Sequence, residues 1–147
     1  INWLWQTGSL YFNDIRQKIG AKALHNLIYT DFINRMDLAY ALAEVIVSRA
    51  GACTISELCL VGKPVILVPS PNVAEDHQTK NAMALVNRNA ARLIRDNEAI
   101  NKLVPAAIEL IKTKDVCTTL SDNCRNMALK NATSKIVDEI FKLIPER

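Results

Sequence analysis

Val45-Ile46-Val47-Ser48-Arg49-Ala50-Gly51-Ala52-Cys53-Thr54-Ile55-Ser56-Glu57 is the stretch that decides the fold class. Its first three residues are β-branched throughout and read as a strand. Small residues follow, and then a helical stretch over 54–61 that Gly62 closes. A second continuous apolar run, Val65-Ile66-Leu67-Val68, lies between Gly62-Lys63-Pro64 and Pro69-Ser70-Pro71-Asn72. Strands that do not alternate polar with apolar are buried on both faces, as in a parallel sheet covered by helices.

Working outward, the same alternation continues. Residues 1–6 and 25–29 read as strands, and 9–19 and 36–43 as helices. Beyond the second run, 75–87 reads as a long helix and 91–94 as a short strand. Helices then follow over 101–112, 116–130 and 134–143. Strands alternating with helices predict an α/β fold, a Rossmann-like parallel sheet with helices on both faces. Ligands of open α/β sheets sit at the carboxyl ends of the strands. Two loops therefore matter most, 48–54 and 69–78.

In the first loop, small residues permit close approach of a ligand to the backbone. The N–H groups of the first helical turn attract phosphate. Glu57, one turn into the helix, is an acceptor placed to hold sugar hydroxyls. Thr54-x-x-Glu57 is also a capping box, a pattern common in helices that bind nothing. In the second loop, His77 and Gln78 can both donate hydrogen bonds to sugar hydroxyls or phosphate oxygens, and Asn81 lies one turn on. The same segment also reads as a solvated helix start, with Glu75 and Asp76 suiting the helix dipole. Asp76-His77 does not make a hydrolase triad, because neighbours on a helix diverge and no Gly-x-Ser-x-Gly elbow exists.

The composition narrows the function classes. Of 147 residues, 50% are hydrophobic and 22% charged, enough apolar material for a packed core. Eighteen basic residues against fifteen acidic ones give a net charge of +3, and the basic residues are scattered. No concentrated basic face points to nucleic acid. The cysteines Cys53, Cys59, Cys117 and Cys124 form no C-x-x-C pair, so they read as reduced thiols in helices. No apolar run reaches the length of a membrane span. No Asp-x-Asp motif is present, and no metal or other cofactor is expected.

Five segments in order carry a resemblance. They are Trp5-Gln6-Thr7-Gly8, Tyr29-Thr30-Asp31-Phe32-Ile33-Asn34-Arg35-Met36, Ser48-Arg49-Ala50-Gly51-Ala52 with Thr54 and Glu57, Gly62-Lys63-Pro64, and Glu75-Asp76-His77-Gln78-Thr79-Lys80-Asn81-Ala82. Together they resemble the C-terminal domain of the MurG family, most strongly over residues 1–100. That family transfers N-acetylglucosamine from its UDP donor to lipid I, making lipid II for peptidoglycan, on the two-domain GT-B fold.

The resemblance implies that residues 1–147 are a single UDP-sugar-binding domain. It implies that Ile33 lies against the uracil and offers it backbone bonds, and that Glu57 holds the ribose. Ala52, Cys53 and Thr54 would face the diphosphate, and His77 and Gln78 the sugar hydroxyls. Some relatives carry Gln where this chain has His77. The chain has four glycines and lacks the family's Gly-Gly-Ser loop. The expectation is that the first strand and the N-terminal acceptor domain are missing, and that this piece alone is inactive. Lipid I, the membrane surface and the general base would then belong to the missing domain, so no catalytic residue is assigned. The whole enzyme would sit peripherally on the cytoplasmic side of the bacterial plasma membrane. Two other readings remain open: a different GT-B nucleotide-sugar enzyme such as a UDP-sugar epimerase, and a noncatalytic donor-binding subunit. A dinucleotide-binding domain is disfavoured by the lack of Gly-x-Gly-x-x-Gly.

Overall fold

The computed structural model describes residues 1–20 and 24–144. The chain divides into two compact units, Ile1–Ala43 and Glu44–Arg147. In the first, β1 (Trp3–Gln6) is followed by α1 (Ser9–Ile19), β2 (Leu27–Thr30) and α2 (Met36–Leu42). β1 and β2 pair in parallel, with Trp3 opposite Leu27 and Gln6 opposite Thr30. Gly8, which precedes α1, has φ 78° and ψ 148°, a conformation open essentially to glycine alone. The rings of Phe12 on α1 and Tyr29 on β2 pack at a tilt, 6.0 Å between centroids.

The second unit runs β3 (Ile46–Ser48), α3 (Ala52–Val61), β4 (Val65–Leu67), α4 (His77–Val86), β5 (Arg92–Leu93), α5 (Asp96–Lys112), α6 (Lys114–Asn126) and α7 (Ala132–Lys142). Its three strands are parallel in the order β3-β4-β5. Each crossover is a helix, as parallel pairing demands. β4 is central and wholly buried. β3 is an edge strand, and Val47 is 36% exposed, so burial on both faces holds for β4 but not for β3. The core is Val65, Ile66 and Leu67 packed with Leu58, Leu85, Leu110, Leu120 and Cys124 from four helices. α3 contains Thr, Ile, Cys and Val, all middling helix formers. Burial of Leu58 and Cys59 offsets that weakness.

Five helix starts differ from the sequence reading: α3, α6 and α7 each begin two residues early, at Ala52, Lys114 and Ala132. The helix expected from Glu75 begins instead at His77. Glu75 (φ 51°) and Asp76 (φ 54°) are left-handed and sit in a short 3-10 turn, Ala74–Asp76. α5 begins at Asp96, five residues before the expected Asn101. Asp96 and Glu98 in its first turn match the helix dipole and extend it backward. The four cysteines are free thiols, in α3 and α6. No helix among the described residues is long and apolar enough to cross a membrane.

Candidate functional site

The carboxyl ends of β3 and β4 bring two helix starts together. α3 begins at Ala52, after Gly51 in extended conformation (φ −65°, ψ 148°), and no side chain caps it. The first backbone bond closing the helix runs from the Ile55 N–H to the Gly51 carbonyl, 2.9 Å. The N–H groups of Ala52, Cys53 and Thr54 therefore precede the helical ladder. Three such donors at one helix end form a place for an anion. Thr54 is the third residue of the helix and not its cap, so Thr54 and Glu57 do not form the capping box that their spacing suggested. Glu57 lies one turn on, with an exposed side chain.

The start of α4 is fastened to the turn before α3. The Gln78 side-chain carbonyl accepts the backbone N–H of Ala50 (3.1 Å) and of Ser70 (2.9 Å). Asn81, one turn further, donates its side-chain amide to the Ala50 carbonyl at 3.1 Å. Ala50 is 0% exposed, so both its backbone groups need partners within the protein. Gln78 and Asn81 supply them from one face of α4, as residues three apart can. The sequence does not announce this clamp; it offers Gln78 as a donor to sugar hydroxyls or phosphate oxygens, or as part of a solvated helix start. Because Gln78 accepts through its oxygen, its amide nitrogen remains the group that can donate to a ligand. His77 is exposed, and its Nε2 lies 4.0 Å from Glu75 Oε2 across a solvated gap. A pair so exposed holds neither side chain firmly.

Ile33 belongs to the first unit, in the loop after β2. Its N–H donates to the Gln6 side-chain carbonyl at 2.9 Å. The loop is shaped further by the Phe32 N–H donating to Asp31 Oδ1 (2.8 Å) and by the Thr30 hydroxyl donating to the Phe32 carbonyl (3.1 Å). The Gly8 N–H donates to the Asp31 carbonyl, 3.1 Å, tying the loop to the end of β1. Of the two backbone groups expected to serve a base, the N–H of Ile33 is thus already engaged, and the carbonyl is the one left to accept.

Comparison with known proteins gives a consistent set of matches. The glycosyltransferase family 28 C-terminal domain matches residues 1–140. The UDP-N-acetylglucosamine–N-acetylmuramyl-(pentapeptide) pyrophosphoryl-undecaprenol N-acetylglucosamine transferase of Parabacteroides distasonis is 49% identical over 144 residues, which is 98% of this chain and 39% of that protein. The protein of the same name from Cytophaga hutchinsonii is 51% identical over 144 residues, 98% of this chain and 38% of its own. The chain thus spans about two fifths of the curated relatives it matches. Among solved structures, MurG of Acinetobacter baumannii superposes with a TM-score of 0.81 at 30% identity, covering 97% of this chain and 41% of that one. The glycotransferase of kitacinnamycin superposes at 0.75 with 22% identity, a likeness of fold alone. The open α/β arrangement with parallel strands is that of these glycosyltransferase domains.

Proposed function

Since this chain belongs to the glycosyltransferase family 28 C-terminal domain family, we propose that it is the donor-binding part of an enzyme that moves N-acetylglucosamine from UDP to lipid I, making lipid II. The observation that carries the reading is the uncapped start of α3, with Glu57 one turn on and the α4 start fastened beside it by Gln78 and Asn81. An uncapped helix start offers N–H donors and positive dipole where a diphosphate would rest. A carboxylate one turn on offers two acceptors where ribose hydroxyls would follow.

In this reading the N–H groups of Ala52, Cys53 and Thr54, with the Thr54 hydroxyl, hold the diphosphate. Glu57 holds the ribose, and the Ile33 backbone meets the uracil. His77 and the amide nitrogen of Gln78 reach the sugar. Attack by an acceptor hydroxyl on the anomeric carbon breaks the bond to UDP, and negative charge grows on the departing diphosphate. Oriented backbone N–H groups stabilise that charge without having to reorganise. The acceptor lipid, the membrane surface and the group that takes the acceptor proton belong to the remaining three fifths of the enzyme. That enzyme works at the cytoplasmic face of the bacterial plasma membrane, as a peripheral protein.

Calorimetric titration with UDP-N-acetylglucosamine, UDP-glucose and UDP tests the reading. Tighter binding of the N-acetylglucosamine donor than of UDP-glucose supports it. Equal binding of both sugars would point to another nucleotide-sugar enzyme of the same fold. No binding of any of the three, by this chain or by the chain extended to the full length of its relatives, refutes it.

A further inference from the structure

Arg49 is the residue on which the ends of all three strands of the second unit converge. It follows β3 directly. Its Nη1 donates to the carbonyls of Val68 (3.1 Å) and Pro69 (3.3 Å), where the chain leaves β4. The same nitrogen pairs with the carboxylate of Asp96, the first residue of α5, which the chain reaches shortly after leaving β5. We propose that Arg49 is a positioning residue of the donor site, tying the three strand ends together through Asp96 and so fixing the turn that launches α3.

Several features of the geometry support this. Ala50, the next residue, is held on its own N–H and carbonyl by Gln78 and Asn81. The turn is therefore gripped at two consecutive residues, by α4 at Ala50 and by the β4 and β5 exits at Arg49. Two residues later the helix begins whose N–H groups form the anion site. All three oxygens are met by one terminal nitrogen, whose two N–H groups are shared among them. Asp96 offsets the positive charge and itself sits where the α5 dipole favours an acid. Val68 and Pro69 are both buried, so their carbonyls need partners within the protein. A binding constellation must be held to within about 0.5 Å of its productive geometry. The inference rests on the donor-site reading above.

The test is a calorimetric UDP titration of the chain and four variants: R49M, R49K, D96N and R49M/D96N. Urea unfolding of each is measured alongside, with Gly62→Ala as a variant that is destabilised outside the site. The expected result is that R49M weakens UDP binding on the order of tenfold. R49K recovers part of the loss. The double variant is no weaker than R49M, since both single changes cut one tie. Gly62→Ala loses stability yet binds UDP as the parent does. If R49M fails to fold, the same comparison runs on R49K and D96N, each of which should weaken binding without abolishing it. UDP binding by R49M or by both milder variants equal to that of the parent overturns the proposal and leaves the donor-site reading standing. Losses that multiply in the double variant overturn it too. Absence of UDP binding by the parent overturns the donor-site reading and this inference with it.

Discussion

Gln78 and Ala50, on different elements, are joined by a 3.1 Å bond from the Ala50 N–H to the Gln78 side-chain oxygen. The same oxygen holds the Ser70 N–H at 2.9 Å. Gln78→Ala leaves two backbone donors without their acceptor, one of them on a fully buried residue. An unsatisfied buried polar group costs about 1–3 kcal/mol. Gln78→Ala is therefore expected to lower the unfolding free energy by that amount, read as a lower urea midpoint, and to weaken donor binding. Gln78→Glu keeps an acceptor and loses the amide donor. It should unfold near the parent midpoint while losing affinity for UDP-N-acetylglucosamine but not for UDP. Unchanged affinity for both ligands in Gln78→Glu would assign Gln78 to the clamp alone.

Glu57 gives the opposite signature. Its side chain is exposed, and α3 starts too early for it to close a capping box. Hydrogen bonds to a charged group contribute about 1.5–3 kcal/mol, so Glu57→Ala should weaken UDP on the order of tenfold to a hundredfold. Its midpoint in urea should move little, since exposed substitutions usually stay within about 0.5 kcal/mol. Removing the ribose 2′-hydroxyl from the ligand should cost the parent protein affinity and cost Glu57→Ala nothing further. Unchanged UDP affinity in Glu57→Ala would remove the ribose role.

The elements were legible where pattern and punctuation agreed. Val65-Ile66-Leu67, framed by Pro64 and Pro69, is the buried central strand that its composition predicts. Gly62 ends α3 in the left-handed conformation expected of a helix-closing glycine. Misreadings came where the backbone did something that residue type does not announce. Glu75 and Asp76 look like the acidic first turn of a helix, yet both are left-handed and the helix waits for His77. Thr54 and Glu57 have capping-box spacing, but Gly51 takes the cap position and the register is displaced. The clamp on Ala50 was out of reach because the partners of a side-chain amide depend on where two loops meet, which spacing along one helix does not encode. The Gln78/Asn81 interval was the available clue. It said that the two amides share a face and could not say what that face meets.

A side chain at Gly62 should cost stability. It has φ 60°, and a Cβ there would lie 2.8 Å from Arg125 Nε and 3.1 Å from Arg125 Cβ. Arg125 also donates to the Gly62 carbonyl, 3.3 Å, so it is held over the spot. A left-handed residue with a Cβ costs about 1–2 kcal/mol before any clash. Gly62→Ala should lower the urea midpoint with an unchanged slope. Adding Arg125→Ala should recover the steric part and not the backbone part. Full recovery would mean that the left-handed backbone is not the source of the cost.

Stability should fall in alkali because of Cys124. Its thiol is 0% exposed and donates to the Leu58 carbonyl at 3.6 Å. Burial pushes it up from the ordinary 9.0 to about 12, and neighbouring Cys59 pushes the same way against a smaller opposing effect from Arg125. Burial also raises Cys59 and Cys117. In the unfolded chain the Cys124 thiol loses its proton near its ordinary value, while in the folded chain it keeps it. Its contribution is thus complete below about pH 9 and is lost as the pH climbs toward the folded value. Within that window the unfolding free energy should fall by about 1.4 kcal/mol per pH unit for this group. Cys124→Ala removes the titration but also leaves a small cavity, so the two proteins must be compared by slope and not by level. Urea unfolding of parent and variant at several alkaline pH values supplies both slopes. The stability advantage of the parent should therefore narrow steadily with rising pH. An advantage that stays constant across the window would mean that Cys124 ionises as readily folded as unfolded, and that burial in this core does not hold its proton.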